Sequence, residues 1–267
     1  MIDTHCHLAG RQFARDLSAV VARAQGQGIT KMITIADSVP ESRKCLSIAQ
    51  KFEEVFCTVG VHPHHAKDWK PDDADIFRAM VSSSPKVRAI GEIGLDYHYP
   101  STALRAGNFS PKEVQRSVFR AQLSLARELN LPAVVHCRAA LIDVREDLKG
   151  MDLTKIVLHC CTETWEDVGE LVAQGLCLSF TGIATYSQAE EIRRTIRECP
   201  MAQMMVETDA PYLPPEALRA KEGRALRNEP AFVLEVAKLI AGIKKVSLEE
   251  ADRATTHNAV AFFGLPS

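Results

Sequence analysis

The chain has 267 residues, of which 46% are hydrophobic and 25% charged, and its formal net charge is −2. That balance excludes a disordered or fibrous protein and the broad basic surface of a stoichiometric nucleic-acid coat, though it leaves room for a small cationic cleft. No apolar run approaches the ~20 residues of a membrane span, and no cationic stretch leads into an apolar one at the N-terminus, so neither membrane association nor a secretory signal is expected.

Short apolar runs alternate with helical patterns along the chain. A strand at 2–5 precedes a helix at 14–27, then 31–36 precedes 40–52, 56–61 precedes 72–84, and 87–93 precedes 111–130. The second half repeats the alternation: 133–137 and 139–149, 156–160 and 164–174, 176–181 and 187–198, 204–208 and 229–242, with a further helix at 247–263. The strands are nearly continuous in Val, Ile and Met, as strands covered on both faces should be. In the fourth helix Val114, Val118, Ala121, Leu125 and Leu129 fall on one stripe after Ser110-Pro111. Eight β/α alternations in this length predict an α/β fold, a single (β/α)8 TIM barrel occupying residues 1–267 as one domain. Two connections, 95–110 and 210–228, are longer than the typical ~4–6 residues and are expected to overhang the mouth as substrate-binding loops. The eight cysteines (6, 45, 57, 137, 160, 161, 177 and 199) are scattered, several of them in predicted strands, which reads as buried thiols in a reducing cytoplasm.

The chemistry-bearing residues gather at strand ends. Ile2-Asp3-Thr4-His5-Cys6-His7 sends His5 and His7 to one side of an extended segment, a ready metal clamp. Glu92, His136, His159 and Asp209 each close a later apolar run. On a barrel all six emerge at the C-terminal rim, where barrel enzymes work. Four imidazoles and two carboxylates can hold two divalent cations if one carboxylate bridges them, and Glu92 can do so with one oxygen on each ion. Two cations ~3.5–4 Å apart clamp the attacking and leaving oxygens of a displacement and acidify water to hydroxide near neutral pH. Asp209 can bind one of them and accept the proton from that water.

These segments bring a family into view. With Gly60-Val61-His62-Pro63-His64, Gly91-Glu92-Ile93-Gly94-Leu95-Asp96-Tyr97, His136-Cys137-Arg138-Ala139, Glu207-Thr208-Asp209-Ala210-Pro211-Tyr212-Leu213, Arg227-Asn228-Glu229-Pro230 and Thr256-His257-Asn258-Ala259, the chain resembles the TatD family of metal-dependent deoxyribonucleases across essentially its whole length. The resemblance implies one metal on His5, His7, Glu92 and Asp209 and another on Glu92, His136 and His159. It implies hydrolysis of DNA phosphodiester bonds with magnesium or manganese, or with zinc in the site. Ligand chemistry leans to zinc or manganese over magnesium, which prefers oxygen. Two departures stand out: His159-Cys160-Cys161-Thr162-Glu163 replaces a His-Cys-Phe-Thr-Gly pattern, and the 98–110 segment is longer than usual.

Several neighbours have two readings each. His62 can contact the scissile phosphate or be a satisfied polar group at a loop. Arg138 can bind phosphate bidentately or pair with a neighbouring helix, and Arg227, placed over the mouth, can meet a phosphate. Glu207 can hydrogen-bond a ligand histidine, and Asn228 can cap a helix. Tyr97, Tyr99 and Phe109 can stack bases or pin their loop to the barrel. The expected substrate is DNA, single-stranded or frayed, cleaved from an end, with RNA a further nucleic acid and no obligate protein partner. The alternative is a small-molecule or acyl hydrolase, a lactonase, amidase or deacylase, using the same two-metal site.

Overall fold

The computed structural model describes residues 1–98, 109–219 and 227–266. Eight strands form one sheet in chain order: β1 (Ile2–Cys6), β2 (Lys31–Thr34), β3 (Val55–Val59), β4 (Val87–Asp96), β5 (Ala133–Arg138), β6 (Ile156–Leu158), β7 (Cys177–Phe180) and β8 (Met204–Val206). Each consecutive pair runs parallel. The ring nears closure where Cys6 bridges Ala210, with His7 N donating to Ala210 O at 2.7 Å and Asp209 N to His5 O at 2.8 Å. Helices α1 (Leu17–Gly26), α2 (Val39–Lys51), α3 (Asp73–Ser83), α4 (Lys112–Glu128), α5 (Leu141–Asp147), α6 (Trp165–Ala173), α7 (Glu190–Glu198), α8 (Glu216–Arg219), α9 (Val233–Lys244) and α10 (Leu248–Phe263) fill the connections. The architecture is the TIM barrel that the alternation predicts. None of the described helices is long and apolar enough to cross a membrane, and all eight cysteines are free thiols.

Local chemistry sets the ends of these elements. Ser38 caps α2 by accepting from Glu41 N at 3.4 Å, and Val39-Pro40 opens the helix with a preset φ. At α10 Ser247 and Glu250 exchange hydrogen bonds in a capping box, and Gly264 ends the helix at φ 57°. The stripe expected on α4 is shifted. Ala121 is exposed, and the buried face runs through Gln115, Val118, Phe119, Gln122, Leu125 and Ala126. The reason is polar. Gln122 accepts from Val61 N at 2.7 Å and donates to Val61 O at 2.9 Å, while Gln115 accepts from Asp96 N at 2.9 Å and donates to Asp96 O at 3.1 Å. Both glutamines act as backbone partners for strand ends, so a hydrophobic pattern passes over them.

Every one of the eight strands contributes, through Ile2, Ile33, Phe56, Ala89, Val134, Val157, Cys177 and Met205, to a cluster with Phe263 and Leu265 from the last helix and the segment after it. Two residues further along on the same faces come Thr58, His136, His159, Ser179 and Glu207, so alternation alone carries polar groups toward the C-terminal rim. Between Ile90 and Ile93 β4 spends one more residue than β5, and between Asp3 and Cys6 β1 does the same against β2. These two irregularities fall on Glu92 and His5, consistent with the use of bulges to re-aim a side chain. Just beyond, Gly94 sits at φ 134°, where an added Cβ would meet His136 O at 2.0 Å. Gly94→Ala is expected to cost at least about 2 kcal/mol of unfolding free energy in urea melts, because the new methyl must push β4 off β5. Gly26→Ala, with nothing within 4 Å, is the control and should leave the midpoint nearly unchanged.

Candidate metal centre

The rim assembles from seven side chains. His5 lies within β1 and His7 one residue past it, Glu92 lies in β4, His136 in β5, and His159 directly follows β6. Asp209 lies three residues past β8 with φ 54°, a left-handed turn that redirects the chain at the seam. His62 follows β3 and starts a short 3-10 turn, accepting from His64 N at 3.1 Å.

Glu92 organises the rest. Its Oε2 is 3.5 Å from His5 Nε2 and 3.9 Å from His7 Nε2, and Asp209 Oδ1 is 3.6 and 3.1 Å from the same two nitrogens. His5 Nε2 and His7 Nε2 are themselves 3.3 Å apart. On the other side, Glu92 Oε1 is 2.8 Å from His159 Nε2, 2.9 Å from His136 Nδ1 and 3.4 Å from His62 Nε2. His136 Nδ1 and His159 Nε2 stand 3.2 Å apart. Donors bound to one ion at 2.0–2.2 Å in a tetrahedron are about 3.3–3.6 Å from each other. The first set, at 3.1–3.9 Å, brackets that spacing, and the second, at 2.8–3.2 Å, is drawn tighter by direct hydrogen bonding to Glu92; the imidazole and carboxylate chemistry of both fits a divalent transition ion. The six residues expected as ligands are thus brought together, and His62 joins them, within reach of Glu92 and His136.

Protonation follows from the crowding. Burial alone would raise the Glu92 pKa, but the charges of His159 and His62 and hydrogen bonds from His136 and His159 hold it well below the usual carboxylate range. Burial pulls His7 down, yet the hydrogen bond and charge of Asp209 outweigh it and push the imidazole up to about 9. His159 rises for the same kind of reason, with Glu92 and Glu207 overcoming burial. His5 and His62 go the other way under burial, His62 to about 4. The carboxylates therefore recruit protons onto His7 and His159, and any cation entering competes with those protons.

A buried layer holds the imidazoles. Glu207 Oε1 lies 3.4 Å from His159 Nδ1 and accepts from Cys160 N at 2.7 Å, while Ser179 Oγ donates to its Oε2 at 2.5 Å. Thr208 donates to Asp3 from its N at 3.0 Å and its Oγ1 at 2.6 Å, fastening β1 to the segment that carries Asp209. Burial still lifts Asp3 to about 8, against the lowering effect of those hydrogen bonds. Asp96, unassigned from sequence, lies 2.8 Å from His64 Nε2 and 3.3 Å from His136 Nε2. It was hidden because β4 continues to residue 96, three past the predicted end.

The remaining expected site residues separate. Arg138 ends β5 with its side chain exposed. Arg227 is committed elsewhere: it donates to Asp16 at 2.8 and 2.7 Å and to Glu229 at 2.6 Å, and its guanidinium lies over Phe13 at 4.8 Å. Those contacts give Arg227 carboxylate partners that its sequence position did not reveal, in place of a free guanidinium over the mouth. Asn228 donates to Thr208 O and Tyr212 O at 2.8 and 2.6 Å, bracing the Asp209 turn as well as accepting from Glu229 N. Tyr97 donates its hydroxyl to Asp143 at 2.7 Å and Phe109 packs edge-on against His64, so both rings pin their loop. Tyr99 lies outside the described residues. Cys6 donates to Ile33 O, away from the donor sets.

Comparison with known proteins agrees with this architecture. A family model described as TatD related DNase matches residues 2–264. The chain is 37% identical over 270 residues to a protein of Erwinia amylovora named 3'-5' ssDNA/RNA exonuclease TatD, covering 99% of this chain and 100% of that one. It is 34% identical over 265 residues to the Bacillus subtilis protein named uncharacterized metal-dependent hydrolase YabD, covering 98% of each. Among solved structures, YjjV, a TatD homolog from Escherichia coli K12, superposes with a TM-score of 0.89 at 26% identity, over 100% of this chain and 98% of that one. The chain belongs to the TatD-related DNase family and is a metal-dependent hydrolase of that type.

Proposed function

We propose that this protein hydrolyses phosphodiester bonds in single-stranded or frayed DNA, and in RNA, removing nucleotides from an end. The observation that carries the reading is the division of Glu92, whose Oε2 faces His5 and His7 beside Asp209 while its Oε1 faces the imidazoles of His136, His159 and His62. His5, His7, Asp209 and Glu92 Oε2 are assigned to one divalent cation, and His136, His159 and Glu92 Oε1 to a second. Such cations supply an acidified water and positive charge against a phosphate. Asp209 keeps one carboxylate oxygen outside its contact with His7, and we assign it the proton released by the attacking water. His62, neutral near pH 7 and at the edge of the second set, is assigned a hydrogen bond to a phosphate oxygen. Arg138, exposed at the end of β5, offers its guanidinium to the same group. With Arg227 tied to Asp16, we leave it out of substrate binding. The name of the Erwinia relative supports 3'-to-5' action on single strands. The competing reading, a neutral ester, lactone or amide as substrate, draws on the apolar Leu141 and Ile142 beside the mouth.

Metal-loaded protein incubated with labelled single-stranded DNA, duplex DNA and a panel of esters and lactones separates the two readings, and shortening of the single strand alone is the expected result. Glu92→Ala and Asp209→Asn should each lower that rate by about 10²–10⁴-fold with an unchanged far-UV spectrum. His62→Ala should lower kcat/KM while the full metal content stays bound; loss of one metal would move His62 into the donor set. Because His7 titrates near 9, binding at pH 7 must displace its proton, so apparent affinity for manganese should climb up to about tenfold per unit between pH 6 and 9. Calorimetry in buffers of different ionisation enthalpy checks this, and an affinity flat with pH would contradict the assignment.

A further inference from the structure

Beside the mouth, between the end of β5 and the starts of α5 and α6, lies an open cavity of about 400 Å³. Its walls include Ala139, Leu141 and Ile142, the last 85% exposed, together with Tyr97. Most of its polar groups are already engaged. The Tyr97 hydroxyl donates to Asp143, which also meets Arg116 at 3.2 Å; Thr164 donates to Asp167 at 2.6 Å; Arg145 donates to Glu170 at 2.5 Å. Glu163 differs. Among the described residues, the hydrogen-bond donor its carboxylate meets is the Cys137 thiol at 3.6 Å, a weak donor. Its backbone is nevertheless fixed, because Thr195 Oγ1 donates to Glu163 O at 2.9 Å. Cys137 follows His136 in β5, and Tyr97 in the cavity wall follows Asp96, which meets His136 at 3.3 Å, so the cavity and this half-buried acceptor lie at the same end of β5 as the second donor set.

An apolar cleft with one under-used anionic acceptor, next to a centre that takes a phosphodiester, matches a flat heterocycle carrying an N–H donor. Resting on the nuclease reading above, we propose that this cavity receives the nucleobase adjoining the scissile phosphodiester, and that Glu163 accepts a hydrogen bond from its exocyclic amine. Cytosine N4 and adenine N6 satisfy the carboxylate, as carboxylates do when they read cytosine. Uracil and thymine place a carbonyl oxygen at the same ring position and leave two acceptors facing each other. Glu163 is then a specificity-determining residue with no part in the chemical step.

Cytosine and uracil differ at that ring position, so the test uses single-stranded deoxycytidine and deoxyuridine pentamers with metal-loaded protein. The expected kcat/KM favours deoxycytidine by roughly tenfold in the wild type, the order of discrimination one good base contact supplies. Glu163→Ala should bring the ratio to within about twofold, and Glu163→Gln, whose amide can donate to a carbonyl as well, should give an intermediate ratio. Anisotropy with the same labelled strands and metal-free protein provides a readout independent of turnover, with the same order expected. An equal rate on both pentamers in the wild type, or a preference that survives in Glu163→Ala, overturns the base pocket and leaves the nuclease reading standing. Cleavage of neither pentamer overturns both.

Discussion

A carboxylate buried at the centre of five imidazoles is the constraint on which this barrel's rim is built. Glu92 is 4% exposed and stays ionised only because positive charge presses on it from both sides. A buried charge without compensation is among the costliest features a fold can contain. Here compensation comes from histidines on four other strands or strand ends, so the carboxylate cannot be housed until those strands are in register. The β4 irregularity and the backbone clamps of Gln115 and Gln122 then read as parts of one device that holds the carboxylate and its surroundings in place.

The seam of the barrel carries a second burden. His5 and His7 come from the first strand and Asp209 from beyond the last, so their donor set exists only where the ring closes. Closure is reinforced by Asp3 with Thr208, by Asn228 with Thr208 and Tyr212, and by the Arg227 and Arg23 guanidiniums shared between Asp16 and Glu229. A bidentate arginine pair is geometrically specific as well as attractive. Its value here lies in fixing the approach of two segments about two hundred residues apart in sequence.

Much of this was legible in the sequence, for identifiable reasons. Continuous Val and Ile runs report strands covered on both faces, and their regular alternation with helices reports the barrel. His5-Cys6-His7 carries its own geometry, since two residues on are on the same side. What stayed hidden depends on contacts between distant residues. Gln115 and Gln122 look like surface residues until strand ends need backbone partners. Asp96 looks like loop because nothing local shows β4 continuing past Ile93. Arg227 reads as an open cation because Asp16 is not adjacent to it in the chain, and His62 gives no local sign that it reaches Glu92.

Metal stoichiometry tests the central claim most directly. Demetallated wild type titrated with manganese or zinc, with bound metal counted by elemental analysis after gel filtration, should hold two equivalents per chain, and Glu92→Gln should hold fewer. One equivalent in the wild type, or two retained in Glu92→Gln, would contradict an account in which that carboxylate joins two ions.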